Sequence, residues 1–496
     1  MREETEVLIV GLGPVGAALG VYLGRMGVKV IAVERDMDVY PMPRAAHLDH
    51  ETMRLLHLAG GAEAVSKASQ PLSAYEFRNA QGELLMGFSP KGALAPTGWP
   101  WTSMFHQPTL EHALRARLAT LSSVSVRLGQ SLKGFRIEGE RVIAEVETPD
   151  GAKELAARFL IGCDGGNSTV RRGAGIAFDD MGFDEPWLVI DTVLKGGVTR
   201  ISTVGLQYCD PARPVTSMPM APGRHRFEFM LLPHEKPEDV TSDAAIAAMI
   251  APYHDPAQFE IERRAVYRFH ALVAKEWRKG PVLLAGDAAH QMPPFLGQGL
   301  CSGTRDAANL AWKIEAVLRG RAGDALLNSY QVEREPHLRM ITGMAVALGK
   351  IVCTQDREAA AARDRDMLAA PQDKRMNEMI ALEGMKSGVL PGGGMVAPDA
   401  RFQGARLDDA AGFAPILLTR EESEASRAFA ASGGFTVALS ALEGSAEAFA
   451  ALMAGAPALL VRPDRYVFGA GEAAPLLAAW SAYLASGHAA APAAAA

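Results

Sequence analysis

The sequence predicts an α/β protein in which a parallel-sheet domain is interrupted by an antiparallel sheet and followed by a small C-terminal α/β domain. Three observations predict it. The buried-strand run Val7–Val10 passes through a glycine-rich turn into a helical pattern and then a second β-branched run. Between about residues 180 and 275 short alternating segments sit among prolines and glycines, the texture of an antiparallel sheet. A breaker-rich stretch, Pro391 to Gly394 and on to Pro398, then separates off an alanine-rich tail region with its own strand signals. At 496 residues the chain is too long for one simple core.

Val7–Val10, Ala17–Met26 and Lys29–Val33 form a β-α-β unit of about thirty residues, because parallel strands need a crossover. Thr109–Leu121 has amphipathic helical periodicity, Arg141–Glu147 alternates as a strand, and Pro149-Asp150-Gly151 marks the turn before the apolar run Phe159–Cys163. Leu188–Val193, Arg226–Leu232 and Ile261–Phe269 are the inserted strands. Val282–Ala285 returns to a buried-strand pattern. Asp306–Leu318, Ser329–Lys350 and Arg357–Leu382 read as helical. Past the linker, Ile416–Leu418, Thr436–Leu439 and Ala458–Val461 are strands between helices. The expected domains are 1–180 with 270–390, the insertion 181–269, and 395–485, ahead of a low-complexity Ala/Pro tail at 486–496.

Hydrophobic residues make up 48% and charged residues 22% of the chain, which is ordinary for a globular protein. The net charge of −7, without a dense basic block, offers no electrostatic footprint for nucleic acid. No apolar stretch approaches the ~20 residues that span a bilayer, and Met1–Glu6 is unlike a signal peptide. A cytoplasmic enzyme without stable membrane association is expected. The four cysteines are scattered, with no CxxC and no histidine at ligand spacing, so neither a disulfide framework nor a metal site is indicated.

The chemistry begins at Gly11-Leu12-Gly13-Pro14-Val15-Gly16. The first glycine allows a tight turn, the second lets the backbone approach a pyrophosphate, and the third lets helix and strand pack closely. A helix N-terminus then faces the phosphates with unpaired N–H groups. Glu34, 18 residues after Gly16, is placed to accept hydrogen bonds from a ribose diol. This Rossmann-type motif does not separate FAD from NAD. Two later motifs do: Asp164-Gly165 after the run ending at Cys163, and Gly286-Asp287 followed by Pro293-Pro294 and Gly297-Gln298-Gly299-Leu300. A carboxylate at a strand end binds polyol hydroxyls, and the glycines after it admit a flat heterocycle.

These three motifs resemble those of the class A, single-component FAD-dependent aromatic hydroxylases, over the whole chain. Pro43-Arg44-Ala45, the Cys209–Pro214 segment and Arg226–Met230 are most similar to the 3-(3-hydroxyphenyl)propionate hydroxylase branch. The resemblance implies a Rossmann-type FAD-binding domain, an inserted antiparallel-sheet substrate domain and a small redox-inactive thioredoxin-like C-terminal domain. It implies that Gly11, Gly13, Pro14, Val15, Gly16, Glu34 and Arg35 serve the ADP half of FAD, with Arg44 and Gln107 as further contacts. Gly286 and Asp287 would hold the ribityl chain. Pro294, Gly297, Gly299 and the N–H groups of Leu300 and Cys301 would face the flavin, while Asp164 belongs to a motif linked to both FAD and the nicotinamide. Cys301 stands where relatives often carry asparagine, so a reactive thiol there is an alternative reading.

The implied reaction is hydroxylation of a phenol with NADH or NADPH and O₂ through a flavin C4a-hydroperoxide, on a 3-hydroxyphenylpropionate-like or related monocyclic substrate. Alternatives are a hydroxylase of polycyclic natural products and a non-catalytic flavin-binding protein. Pro293, Pro294 and His47 are candidates for catalytic roles, whereas His290, inside the Gly-Asp motif, reads as structural. Tyr208, Met218, His225, Phe227 and Phe229 on the inserted sheet are the substrate candidates, and Arg226 could pair a substrate carboxylate. Partners are the aromatic substrate and O₂, and a homodimer is a possible assembly.

Overall fold

The computed structural model describes residues 2–379 and 382–489; of the expected tail, residues 490–496 lie outside the described residues. The first sheet is built on five strands, Val282–Leu284, Gly151–Gly162, Glu3–Val10, Val30–Glu34 and Val124–Leu128, each parallel to its neighbours. Val7, Leu8 and Ile9 are fully buried, as strands covered on both faces require. The helix Pro14–Arg25 makes the first crossover and the helix Gly299–Leu318 packs beside it. An antiparallel hairpin, Ser131–Glu138 with Arg141–Thr148, extends the Gly151–Gly162 strand through the expected turn at Asp150.

The second sheet has nine strands; its long members Phe178–Leu194 and Phe259–Ala274 contain two of the segments read as inserted strands, and Arg224–Met230 covers the third except Leu231 and Leu232. It also recruits Ala74–Arg78, Leu84–Ser89 and Met376–Glu378 from stretches expected in the nucleotide domain, two of them through parallel pairings. The sheet is therefore mixed, and wider than the interval 181–269. The helix expected over Arg357–Leu382 ends at Leu368, shortly before Pro371, which cannot continue it; Met376–Glu378 is a strand instead.

One face of this sheet is closed by the helix Asp243–Ile250, whose Ile246 and Ile250 pack on Leu188, Ile190, Phe227 and Phe229. The other face is open toward the first sheet. The C-terminal domain is a four-stranded sheet in the order Phe435–Ala438, Ile416–Thr419, Ala458–Val461, Val467–Gly471, its first pair parallel and the others antiparallel. Its last helix, Ala473–Ser486, stacks Trp480 on Trp312 of the first domain at 5.7 Å between ring centroids.

Candidate active site

A single cavity of about 1170 Å³ runs from the glycine-rich turn, between the two large sheets, to the cavity-facing side of the second sheet. That exceeds the ordinary range for one small ligand and leaves room for a dinucleotide and a substrate together.

At the nucleotide end each glycine of the first motif has a measurable reason. Gly11 has φ +93°, and a Cβ on it would lie 2.5 Å from the Cys163 carbonyl oxygen. A Cβ on Gly16 would lie 2.0 Å from the Gly11 carbonyl oxygen, so helix and turn pack too closely for any side chain. A Cβ on Gly13 would meet nothing within 4 Å. Its side faces the cavity, in the space where a pyrophosphate would approach Pro14 and Val15 at the helix start. Glu34 accepts a hydrogen bond from the Leu12 N–H at 2.7 Å and also lines the cavity, so it braces the turn at the cavity wall. Arg35 is exposed at the rim and pairs with Asp36. Gln107 accepts from the N–H groups of Arg44 and Ala45 at 3.0 and 2.7 Å, fixing the loop whose Arg44 guanidinium lies over Tyr40.

Asp164 lines the cavity and also braces the chain that follows it. Its carboxylate accepts from Ser168 Oγ and from the N–H groups of Thr169 and Val170 at 2.5–3.1 Å, holding the short helix Thr169–Gly173 and the Gly165–Asn167 turn at the cavity wall. Asp287 differs: it projects into the cavity, no hydrogen bond from the described residues reaches its carboxylate, and its removal from bulk water raises its pKa against the opposing pull of His290 and Arg44. His290 is structural, as expected, with Nε2 2.6 Å from the buried Asp306.

The loop Pro293–Gly297 turns back at Gly297, φ +63°, where a Cβ would press into His47 at 2.9 Å. His47 Nδ1 lies 3.3 Å from the Gly297 carbonyl oxygen, and burial lowers the pKa of the ring, so His47 braces the loop as a neutral group that also lines the cavity. Pro293 and Pro294 line the cavity next to it. The helix Gly299–Leu318 starts there. Its first backbone bond is from Ser302 to Gln298, leaving the N–H groups of Gly299, Leu300 and Cys301 without intrahelical acceptors. The Cys301 thiol is buried, its pKa pushed up to about 12, which removes the reactive-thiol reading. Below the helix start, Arg305 is fully buried and paired with Asp49 and Glu51.

The substrate candidates come out in the wrong phase. Only Met218 of the five lines the cavity. His225, Phe227 and Phe229 lie on the other side of their strand, under the Asp243–Ile250 helix, and Tyr208 packs on Tyr253 at 4.5 Å. A sheet buries its apolar face against a helix, so the alternation Arg224-His225-Arg226-Phe227-Glu228-Phe229 turns its charged members to the cavity. Arg226 is not available for a substrate carboxylate. It is clamped by Asp191 at 2.7 Å and by the carbonyl oxygens of Arg44 and Pro43, which ties this sheet to the nucleotide loop.

Sequence reasoning missed the polar groups that do face the cavity. Gln207, Thr216 and Glu228 are cross-strand neighbours on three adjacent strands. Thr216 donates to Gln207 Oε1 at 2.9 Å, Gln207 donates to the Tyr75 hydroxyl at 2.7 Å, and Tyr75 donates to the Phe295 carbonyl oxygen at 3.1 Å. Glu228 lies beside Thr216 across the strands and has Arg226 at 3.8 Å. The only signal was the strand's alternation read in the opposite phase. Among the described residues no cluster of side chains could hold a metal ion, and no helix is long and apolar enough to cross a membrane.

The geometry fits a flavin dinucleotide: an open cradle at Gly13, an unpaired carboxylate at Asp287 and the helix start at Gly299 and Leu300 face one continuous space. A family model described as FAD binding domain matches residues 4–345. The chain is 36% identical to a probable NADH-specific resorcinol 4-hydroxylase of Rhodococcus jostii (strain RHA1), covering 96% of this chain and 94% of that one. It is 37% identical to a 3-(3-hydroxy-phenyl)propionate/3-hydroxycinnamic acid hydroxylase of Mycolicibacterium smegmatis, over 73% of this chain but only 63% of the relative's length. Among solved structures, aklavinone-11 hydroxylase in complex with FAD and aklavinone superposes with a TM-score of 0.81 at 26% identity, covering 98% of this chain and 99% of that one. The p-nitrophenol 4-monooxygenase of Pseudomonas putida DLL-E4 gives 0.66 at 26% identity, covering 75% and 95%.

Proposed function

The chain belongs to the FAD-binding-domain family, within its FAD-dependent aromatic hydroxylases, and on that premise we propose that it hydroxylates a neutral monocyclic phenol of the resorcinol type, with NADH as electron donor. One observation carries the substrate reading: the cavity that begins at the dinucleotide cradle ends on a sheet wall bearing a hydroxyl-matching polar row, beside which Arg226 is clamped by Asp191 and two carbonyl oxygens. The resorcinol hydroxylase is alike over nearly its full length, whereas the propionate hydroxylase extends well beyond this chain. The NADH reading rests on the name of that first relative.

FAD, when bound, accepts hydride from the nicotinamide and activates O₂; the protein positions it and excludes water. The helix start at Pro14 and the N–H groups around Gly13 would hold the pyrophosphate, Glu34 the adenosine ribose and Asp287 the ribityl hydroxyls. The N–H groups of Leu300 and Cys301 would take the pyrimidine edge. Pro293 and Pro294 wall the reacting end and carry no N–H that would attract water.

The test is a panel of phenols assayed on the FAD-loaded protein for both NAD(P)H oxidation and hydroxylated product. Resorcinol-type phenols should stimulate NADH oxidation and give product, while a phenylpropionate and a polycycle should couple poorly. If no phenol raises oxidation above background, the hydroxylase reading of this chain fails.

A further inference from the structure

Glu228 is a buried carboxyl that the family motifs leave without a role. It lines the cavity on the strand Arg224–Met230, its charged neighbour Arg226 is already committed to Asp191 and two backbone carbonyls, and its cross-strand neighbour is Thr216. From Thr216 a continuous chain of hydrogen bonds crosses to Gln207, Tyr75 and the Phe295 carbonyl, in the loop beside the flavin position. Around this row the cavity is largely apolar, with Leu72, Met218, Phe269 and Met344 in its wall. An aromatic ring seated on the apolar wall has one strip at which a hydroxyl finds partners.

We propose that Glu228 accepts the proton of the substrate's ring hydroxyl during oxygen transfer, with Thr216, Gln207 and Tyr75 as positioning residues that hold the carboxylate and the ring in line with the Phe295 loop. The proposal rests on the phenol-hydroxylase reading above. In the proposed reaction a ring carbon takes an HO⁺ equivalent from the O₂-derived oxidant, whose O–O bond breaks and whose remaining oxygen leaves with the bonding pair. As it does so the substrate O–H bond breaks, its electron pair becomes the second C–O bond of a dienone and the proton forms the Glu228 carboxyl. Re-aromatisation passes the ring C–H proton to the departing oxygen, while the dienone oxygen takes back the Glu228 proton and the carboxylate is restored. Burial raises the Glu228 pKa, opposed by Arg226, which makes the carboxylate a stronger base than one in water. The other charged or titratable groups facing it are Asp191 across one strand, Arg263 beyond it and Tyr75 at the far end of the row.

The experiment compares FAD-loaded wild type, Glu228→Gln and Glu228→Asp for hydroxylated product formed per NADH oxidised, over a range of pH. Ionisation of bound 4-nitrophenol is read by absorbance as a second measurement. Glu228→Gln should still oxidise NADH when a phenol is present, but product formation should fall about 100-fold, with H₂O₂ making up the difference and the acidic limb of its pH profile gone. Glu228→Asp should recover part of the rate and restore that limb. Bound nitrophenol should ionise at a different pH in Glu228→Gln than in wild type. A wild type that yields no product from any phenol sinks the underlying reading. A productive wild type with an equally coupled Glu228→Gln, the same acidic limb and unchanged nitrophenol ionisation sinks the assignment of Glu228 alone. If Glu228→Gln does not accumulate as folded holoenzyme, Glu228→Asp decides: unchanged rate and unchanged nitrophenol ionisation there overturn it.

Discussion

Gly13 and Gly16 sit three residues apart in the same turn and should respond oppositely to a methyl group. Gly16→Ala drives its Cβ into the Gly11 carbonyl, so the turn itself must open and the apoprotein should lose stability. Gly13→Ala meets no protein atom and should leave the thermal midpoint of the apoprotein unchanged, while the methyl occupies space the pyrophosphate needs. FAD affinity should then fall by at least about tenfold, or ~1.4 kcal/mol, in a fluorescence titration; unchanged affinity would remove Gly13 from the cradle. His225 tests burial through pH. Its pKa is pushed down to about 3, first by burial and then by His254, whereas an unfolded histidine titrates near 6.5. The unfolded chain therefore binds a proton the folded one refuses, so stability is full above that value and declines as pH falls toward the folded one. The melting temperature of His225→Asn should decline less steeply through this acid range than that of wild type, and parallel slopes would show that His225 takes no part.

At the scale of the element, the strand Arg224–Met230 shows what was legible and what was not. Its existence followed from alternation, and so did the two faces. Which face met the cavity did not, because the helix Asp243–Ile250 that claims Phe227 and Phe229 is joined to the strand only in the folded chain. The turn at Gly11–Gly16 was legible from its glycine spacing, but the Cys163 carbonyl that presses on Gly11 and the bond from Leu12 to Glu34 come from the neighbouring parallel strands. Asp164 was legible as a strand-end carboxylate, but its use as a brace for the next helix depended on a turn geometry that a Gly-Gly pair leaves open. The pairing of Ala74–Arg78 with Val204–Tyr208 had no local signature at all. Arg226 now gives the strand a second task. Arg226→Ala leaves Asp191 with only Arg263 as a charged partner and frees the Pro43 and Arg44 carbonyls from that clamp. Breaking such a buried pair costs about 3–5 kcal/mol, read as a lower denaturation midpoint, and FAD retention should drop with it because the Pro43-Arg44 loop is left to Arg263 and Gln107 alone. A variant as stable as wild type that keeps its FAD would contradict the link between sheet and loop.

Across the whole molecule, the C-terminal domain is fastened to the nucleotide domain by buried charge rather than by a loose linker. Asp408 sits between Arg54 of the first domain and Arg465 of its own, at 2.6 and 2.7 Å. Glu333 of the first domain takes Arg462 of the second at 2.7 Å and also binds Lys313, whose pKa burial brings down to about 8. Tyr466 donates to Glu51, the same carboxylate that holds Arg305 beneath the helix start at the flavin position. Removing the domain at the Pro391–Gly394 linker would strip Arg54 and Glu333 of these partners at one stroke and unroof Trp312. Arg54 would lose its carboxylate partner and Glu333 would keep Lys313 alone, while the apolar surface around Trp312 and Leu326 would be opened to water. A chain ending at residue 390 should therefore not accumulate as a cooperatively folding, FAD-binding protein, although its glycine-rich turn is untouched. The finer probe is Asp408→Asn, which leaves Arg54 and Arg465 facing a neutral amide. It should lower stability by about 3–5 kcal/mol in one shared unfolding transition followed by both flavin and tryptophan fluorescence. If the two signals separate, or if the truncated chain binds FAD with an unchanged melting temperature, the C-terminal domain folds on its own and the buried network is not what joins it to the site.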